Sequence, residues 1–466
     1  MSNRELFSFS AAAETVGGEL AGAKSGVFHS VSIDSRTCGQ GSLFVPLPGE
    51  RTDGHRYIGG AFNKGAVCSF VEEAFYSRNR NALLPLLEAG GLALIVVGNT
   101  LSSLQKLAQD YLSRRQNVIT IGVTGSNGKT TTKEFIGAGL RGKGAVMVSQ
   151  GNFNSDIGVS LSAFQVTDEH SFAVFEMGMN RPGEMREIAG IVKPFAALVA
   201  NIGTAHIGIL GSKDNIAREK KEIFSFFSGR ETAFIYENEP YFSYLSEGVR
   251  GKVVPYGPGH TDGFVGIEER GLSGTGLQFE NGSITLRLAG EHNALNALGA
   301  LTLCRSLGAE FEDVKKGFES VQPLSGRGEV IEGPVTVIKD CYNANPESLK
   351  RALSLMESLA WYGRKIAVIG AMKELGERSG DLHRLAAGFL LDAHLDSVLL
   401  YGTEARAAWE IMEEERPGLA FWTDDFAALK HRVSIEAKPG SLVLLKGSRA
   451  TELERLMEVL CEQKQG

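Results

Sequence analysis

Residues Gly122 to Phe135 read GVTGSNGKTTTKEF, a run whose residue types suit the holding of phosphate. Successive backbone N–H groups of a glycine-containing turn and the start of a helix can face an anion. Lys129 can reach the outer phosphates of a nucleotide, and the Thr130 hydroxyl can bind Mg²⁺. The run departs from the pattern G-x-x-x-x-G-K-[ST] in one place, because Val123 stands where that pattern has its first glycine. Its setting is still the required one: VITIGV is a β-branched apolar strand, TGSNGK a turn and TTTKEFIGAGL a helix start. Three successive threonines in that order favour phosphate binding over a plain turn with a solvated Lys129. Neither D-x-x-G nor N-K-x-D occurs, so a GTPase switch lacks its parts. Ligands of parallel sheets collect beyond the C-terminal ends of the strands, where Glu176 ends AVFE and His206 follows ALVANIGTA. Read alone, Glu176 is a helix cap and His206 a loop histidine; with Thr130 they form an alternative, a site for a divalent ion.

These residues need a rigid frame, and 466 residues suffice for about three domains, each with its own core. Hydrophobic residues make up 43% and charged ones 22%, as in ordinary globular proteins, which argues against disorder. A net charge of −7 with scattered basic residues leaves no footprint for nucleic acid or an anionic membrane, so small-molecule substrates are expected. Five cysteines, far apart and without a C-x-x-C pair, read as reduced, mostly buried thiols. The N-terminus lacks the apolar core of a signal peptide and no run is long enough to span a membrane, so a cytoplasmic protein without membrane insertion is expected. The 57 glycines fit many tight turns and close backbone approaches to ligands.

The chain divides into three α/β segments. Residues 1–98 carry short strand candidates, SVSID, SLFVPL and LALIVV, and form a small N-terminal α/β domain. Residues 99–322 open with a helix over Leu101 to Arg115 that lines up Leu101, Leu104, Leu107, Ala108 and Tyr111. Strands and helices then alternate up to EHNALNALGALTLCRSLG, closed by Gly308, which predicts a central P-loop domain with a parallel sheet. Residues 323–466 repeat the theme through TVIKD, KIAVIG, SVLLYG and SLVLLKGS, a C-terminal Rossmann-like domain.

In order along the chain, TGSNGKTTTKE, GNFNSDIG, FEMGMNRPGEM, NIGTAHIGILGS, REKKEIF, GEHNALNALGA, SGRGEV, DCYNANPESL and LLKGSR resemble the Mur ligases of peptidoglycan synthesis. That family writes its phosphate loop TGxNGKT, which accommodates Val123. AMKELGERSGDLHR and LLKGSR resemble the branch that joins D-alanyl-D-alanine to UDP-N-acetylmuramoyl-tripeptide; the D-N-P-R motif of a sister branch is absent. The resemblance implies that Gly125, Ser126, Asn127, Gly128, Lys129, Thr130 and Thr131 wrap the ATP phosphates. It implies two Mg²⁺ ions, on Thr130 and Glu176 and on His206. Lys220 aligns with a lysine that CO₂ converts to a carbamate, an anionic ligand for that second ion; from its own neighbours it reads as a solvated helix face. Lys129, Lys220 and His206 are thus the expected catalytic residues. His292 and Asn293 are implied at adenine, and Arg327 and Asp340 at the phosphates and ribose. Ser35, Arg36, Glu50 and Arg51 are implied at the uridine diphosphate, Asn152 and Asn154 near the muramoyl tripeptide, and Asn343, Asn345, Lys446 and Arg449 at the dipeptide. Two residues depart from the family pattern: Ala371 where aspartate is usual and Ser160 where proline is common. A monomer is expected. Another Mur-type amino-acid ligase, a folylpolyglutamate synthase-like ligase and a P-loop regulatory NTPase are the competing readings.

Overall fold

Apolar β-branched runs separated by amphipathic helices produce three large sheets of five or six strands among the described residues, beside two smaller antiparallel ones. The structure is a computed structural model that describes residues 4–49, 52–88 and 91–461. The first sheet runs in the order Glu19–Gly22, Ala93–Val97, Ala66–Glu72, Ser42–Phe44, Ser30–Ser32, with only its Glu19–Gly22 edge antiparallel. The central sheet is parallel throughout, in the order Lys252–Tyr256, Thr232–Tyr236, Ala196–Val199, Ile119–Thr124, Phe172–Glu176, Val146–Val148. The last sheet has the order Glu329–Ile331, Thr336–Asp340, Leu442–Lys446, Lys365–Gly370, Ser397–Tyr401, Ala420–Thr423, with an antiparallel first edge. Each parallel strand needs a crossover helix, which is why the sequence alternates.

The predicted helix after the first sheet is Thr100–Ser113, started by Asn99, whose Oδ1 accepts from Ser102 N at 2.8 Å. It belongs to two cores at once. Leu104, Leu107 and Tyr111 pack with Phe7, Phe9 and Phe70 of the first segment, whereas Ala108 and Leu112 pack with Val159 and Met185 of the second.

One element escaped the sequence reading. Phe264–Glu269, Thr275–Phe279 and Gly282–Leu286 form an antiparallel three-stranded sheet inside the central segment. Its signal is present in the alternation Thr275, Leu277, Phe279 and Ile284, Leu286 on either side of Asn281-Gly282. The sheet covers the core that Phe135 and Phe318 share, with ring centroids 4.9 Å apart. Of the five cysteines, Cys38, Cys68, Cys304 and Cys341 are buried and Cys461 is exposed. Among the described residues, no helix is long and apolar enough to cross a membrane.

Phe318 is fully buried, so Phe318→Ala is expected to lower the unfolding free energy by roughly 3–5 kcal/mol. Val265→Ala, at a side chain that is 67% exposed, should change it by less than about 0.5 kcal/mol. Denaturant titration of the two variants side by side checks this.

Candidate active site

The phosphate loop joins the strand Ile119–Thr124 to the helix Lys129–Leu140 at the centre of the parallel sheet. Val123 is a buried strand residue, paired with Glu176 on one side and Leu198 on the other. The loop turns only after it, so glycine is not required there. Gly128 is different: its φ is 81°, and a Cβ would stand 2.5 Å from Asn296 Oδ1. No side chain caps the helix that follows, which leaves its first amides open to an anion. The next strand's loop braces the turn. Asn127 N donates to Asn201 Oδ1, Asn201 Nδ2 donates back to Asn127 O, and Gly203 N donates to Ser126 Oγ, all within 2.9 Å.

Two lysines converge on one acceptor. Lys129 Nζ and Lys220 Nζ donate to Gly125 O at 2.9 and 3.0 Å. Lys220 lies in the helix Lys213–Lys221 and is 1% exposed, so the polar face of that helix turns toward the loop and not toward solvent. Burial, and then the charge of Lys129, push its amine well below the ordinary lysine range. Burial also lowers Lys129, with Glu176 opposing.

Glu176 ends its strand beside the loop and is 1% exposed. Thr130 Oγ1 donates to one of its oxygens at 2.7 Å and Asn154 Nδ2 to the other at 2.8 Å. Lys133 Nζ lies 3.8 Å away. A hydroxyl and a buried carboxylate on one edge of the loop are the donors a hard ion such as Mg²⁺ takes. His206 has a left-handed φ of 63°. Its buried Nδ1 makes no hydrogen bond among the described residues, which fits a role as a cation ligand. No group of three His, Cys, Asp or Glu that could hold a metal ion stands together among the described residues, so an ion here needs ligand oxygens as well.

The last segment forms the opposite wall of a cleft of about 660 Å³. Asp340 and Lys446 end neighbouring strands in register, and Lys446 Nζ donates to Asp340 Oδ2 at 2.7 Å and to Asn343 O at 3.1 Å. The Arg327 guanidinium lies 3.8 Å from the Tyr342 ring centroid. His292, Asn293, Asn343 and Arg449 also line the cleft. Asn293 Nδ2 is held by Ala289 O at 2.8 Å. Asn345 is buried and spends its amide elsewhere: its Oδ1 caps the helix Pro346–Ser358, and its Nδ2 donates to Asn127 Oδ1 at 3.0 Å. That bond ties the phosphate loop to the last segment. So does Glu347, which accepts from Thr204 Oγ1 at 2.6 Å and pairs with Lys213 at 2.8 Å.

A second groove lies between the first segment and the central one, lined by Asp34, Thr37, Phe153 and Asn152. Asn152 also lines the main cleft, together with Asn154. Ser35 and Arg36 flank this groove without lining it, and the exposed Arg36 guanidinium pairs with Asp34 at 2.7 Å. Glu50 and Arg51 lie outside the described residues. Ala371 is fully buried, and its Cβ lies 3.0 Å from where a Cβ on Gly402 would stand. Ser160 is buried in the helix Asp156–Ala163 and donates to Asp156 O at 2.6 Å. The sequence reading missed Lys133, Asn201 and Glu374. Lys133 was the most accessible of these, since it lies one helical turn from Thr130.

Burial first, then the charge of Arg351, push His292 down to about 4. In the unfolded chain this histidine takes a proton near pH 6.5. Between those values only the unfolded state is protonated, so stability falls as pH drops from about 6.5 toward 4. The variant His292→Gln should show a shallower decline in melting temperature over that window, and a parallel decline would contradict the assignment.

Comparison with known proteins bears on this site. The profiles described as "Mur ligase family, catalytic domain", "Mur ligase middle domain" and "Mur ligase, glutamate ligase domain" match residues 27–112, 123–304 and 326–449. The UDP-N-acetylmuramoyl-tripeptide--D-alanyl-D-alanine ligase of Treponema pallidum (strain Nichols) is 36% identical over 94% of this chain and 95% of its own length. A crystal structure of MurF from Acinetobacter baumannii superposes with a TM-score of 0.88 at 28% identity, covering 98% of this chain and 100% of that one. MurF ligase from Thermotoga maritima in complex with ADP gives 0.79 at 28% identity, over 93% and 97%. With three successive domains matched around one cleft and a relative at this identity along nearly the whole length, the chain belongs to the Mur ligase family.

Proposed function

We propose that the protein is an ATP-dependent ligase that joins D-alanyl-D-alanine to UDP-N-acetylmuramoyl-tripeptide, releasing ADP and phosphate, in peptidoglycan synthesis. One observation carries this reading: the phosphate loop, Glu176 and His206 face Arg327, Asp340 and Lys446 across a single cleft, which a second groove joins at Asn152. The terminal carboxylate of the tripeptide attacks the γ-phosphorus of ATP, forming an acyl phosphate and expelling ADP. The dipeptide amine then attacks the acyl carbon, phosphate leaves, and the amine loses a proton.

The first step brings two anions together. Lys129 and the open helix start supply fixed positive potential at the place where they meet. Thr130 and Glu176 would hold one Mg²⁺ and His206 the other, and ions bound there would offset the negative charge of the phosphate and carboxylate oxygens. A neutral, buried Lys220 amine is a nucleophile for CO₂, and the carbamate formed with loss of a proton would turn the amine into an anionic oxygen ligand. Arg327 and Asp340 would meet the phosphates and ribose, and His292 and Asn293 the adenine. The groove that contains Asp34 would take the uridine diphosphate, with the peptide passing Asn152 and Asn154 on its way to the loop. The dipeptide would enter beside Asn343, Lys446 and Arg449. Walls drawn from separate domains keep water from the acyl phosphate. Domain divisions near residues 98 and 322, a monomeric state and a cytoplasmic location complete the proposal.

Phosphate release should require both UDP-tripeptide and D-Ala-D-Ala; rapid release without them would favour a regulatory NTPase. Lys220→Ala should lose at least the roughly 10–100-fold that changes around a metal site cost, and short carboxylic acids should restore part of it. Full activity in that variant would remove the carbamate from the scheme.

A further inference from the structure

His206 has one polar neighbour that the sequence did not announce. Glu374 Oε2 lies 2.9 Å from His206 Nδ1, yet that nitrogen remains without a hydrogen bond, so the contact is short and poorly aligned. Octahedral sites with ligand distances near 2.1 Å place adjacent donors roughly 2.9–3.0 Å apart. The separation, which is also that of a direct ion pair, matches two neighbouring ligands of one ion. Both residues adopt a left-handed backbone, φ 63° at His206 and φ 64° at Glu374. Such a conformation costs a non-glycine residue energy and persists where the surroundings impose it. They are held face to face by the backbone, since Gly208 N donates to Glu374 O at 3.0 Å. A Cβ on Gly208 would collide with Gly376 N, so the two loops approach as closely as chains can. The Glu374 side chain is 51% exposed and lines the main cleft with Lys373 and Ser448.

We infer that Glu374 is a ligand of the divalent cation at His206, contributed by the last domain. This rests on the proposed function, in which a cation sits at His206 at all. The inference adds a dependence on domain position. His206 and Lys220 come from the central segment, whereas Glu374 arrives only with the loop that follows the strand Lys365–Gly370. The cation at His206 acquires its full set of ligands only when the last domain is seated, and by linkage the cation favours the seated arrangement.

The test is Mn²⁺ binding to the full chain saturated with a non-hydrolysable ATP analogue, followed by the electron paramagnetic resonance of free Mn²⁺. The unaltered protein should hold two ions. Glu374→Gln, which keeps shape and loses charge, should weaken one of them by at least about tenfold, the lower bound for groups that merely support a metal ligand. His206→Ala should weaken the same ion, Glu176→Gln the other, and the Glu374→Gln/His206→Ala pair should lose little more than either alone. Unchanged affinities in Glu374→Gln, or losses that add in the double variant, would overturn the inference while leaving the ligase intact. An unaltered protein that binds no Mn²⁺ with the nucleotide would instead reject the metal-dependent chemistry beneath it.

Discussion

Two lysine amines aimed at one carbonyl oxygen define the energetics of this protein. Lys129 and Lys220 share Gly125 O, in a turn where water is largely excluded and where like charges weaken each other's protonated form. One carbonyl dipole does not compensate two cations, so the Lys220 amine is pushed toward its neutral form, and the charge that a polyphosphate meets is that of Lys129. The rest of the loop is arranged to keep it so. Asn201 and Gly203 fix the backbone from one side, and the adjacent carboxylate, Glu176, is held by a hydroxyl and an amide and kept 3.8 Å from its nearest cation, Lys133. The positive potential is left unspent until an anion arrives.

The same economy governs the joint between the central and last segments. Asn345 caps a helix with one side-chain atom and reaches Asn127 with the other, so the start of a helix in one domain is tied to the phosphate loop of another. Glu347, two residues on, accepts from Thr204 and pairs with Lys213. Polar contacts of this kind exchange with water at a small net change in free energy.

Much of this was legible in the sequence, and what was not has identifiable causes. The strand, turn and helix around Lys129 follow from period-2 and period-3.6 patterns, Glu176 ends an apolar strand, and His206 lies in the loop that follows the next one. The parallel sheets follow from alternation. Lys220 was illegible from its neighbours because REKKEIF describes a polar helix face, and whether such a face meets solvent or a phosphate loop is decided by tertiary packing. Glu374 left no trace because the left-handed turn that presents it depends on Gly208 of a distant loop. Asn345 looked like a substrate contact because asparagine in a loop before Pro346 serves equally well as a helix cap, and only coordinates separate the two. The antiparallel insert was passed over because the alternation around it set an expectation of helices.

The distribution of sulfur has a practical corollary. Desolvation pushes the thiols of Cys38, Cys68, Cys304 and Cys341 upward, to about 11 for Cys341, so they resist forming the thiolate that alkylating reagents require. Cys461, at the end of the helix Met457–Cys461, is exposed. The protein thus carries a single exposed thiol, at the end of its last segment, where a fluorophore or spin label can be attached without any cysteine having to be engineered away.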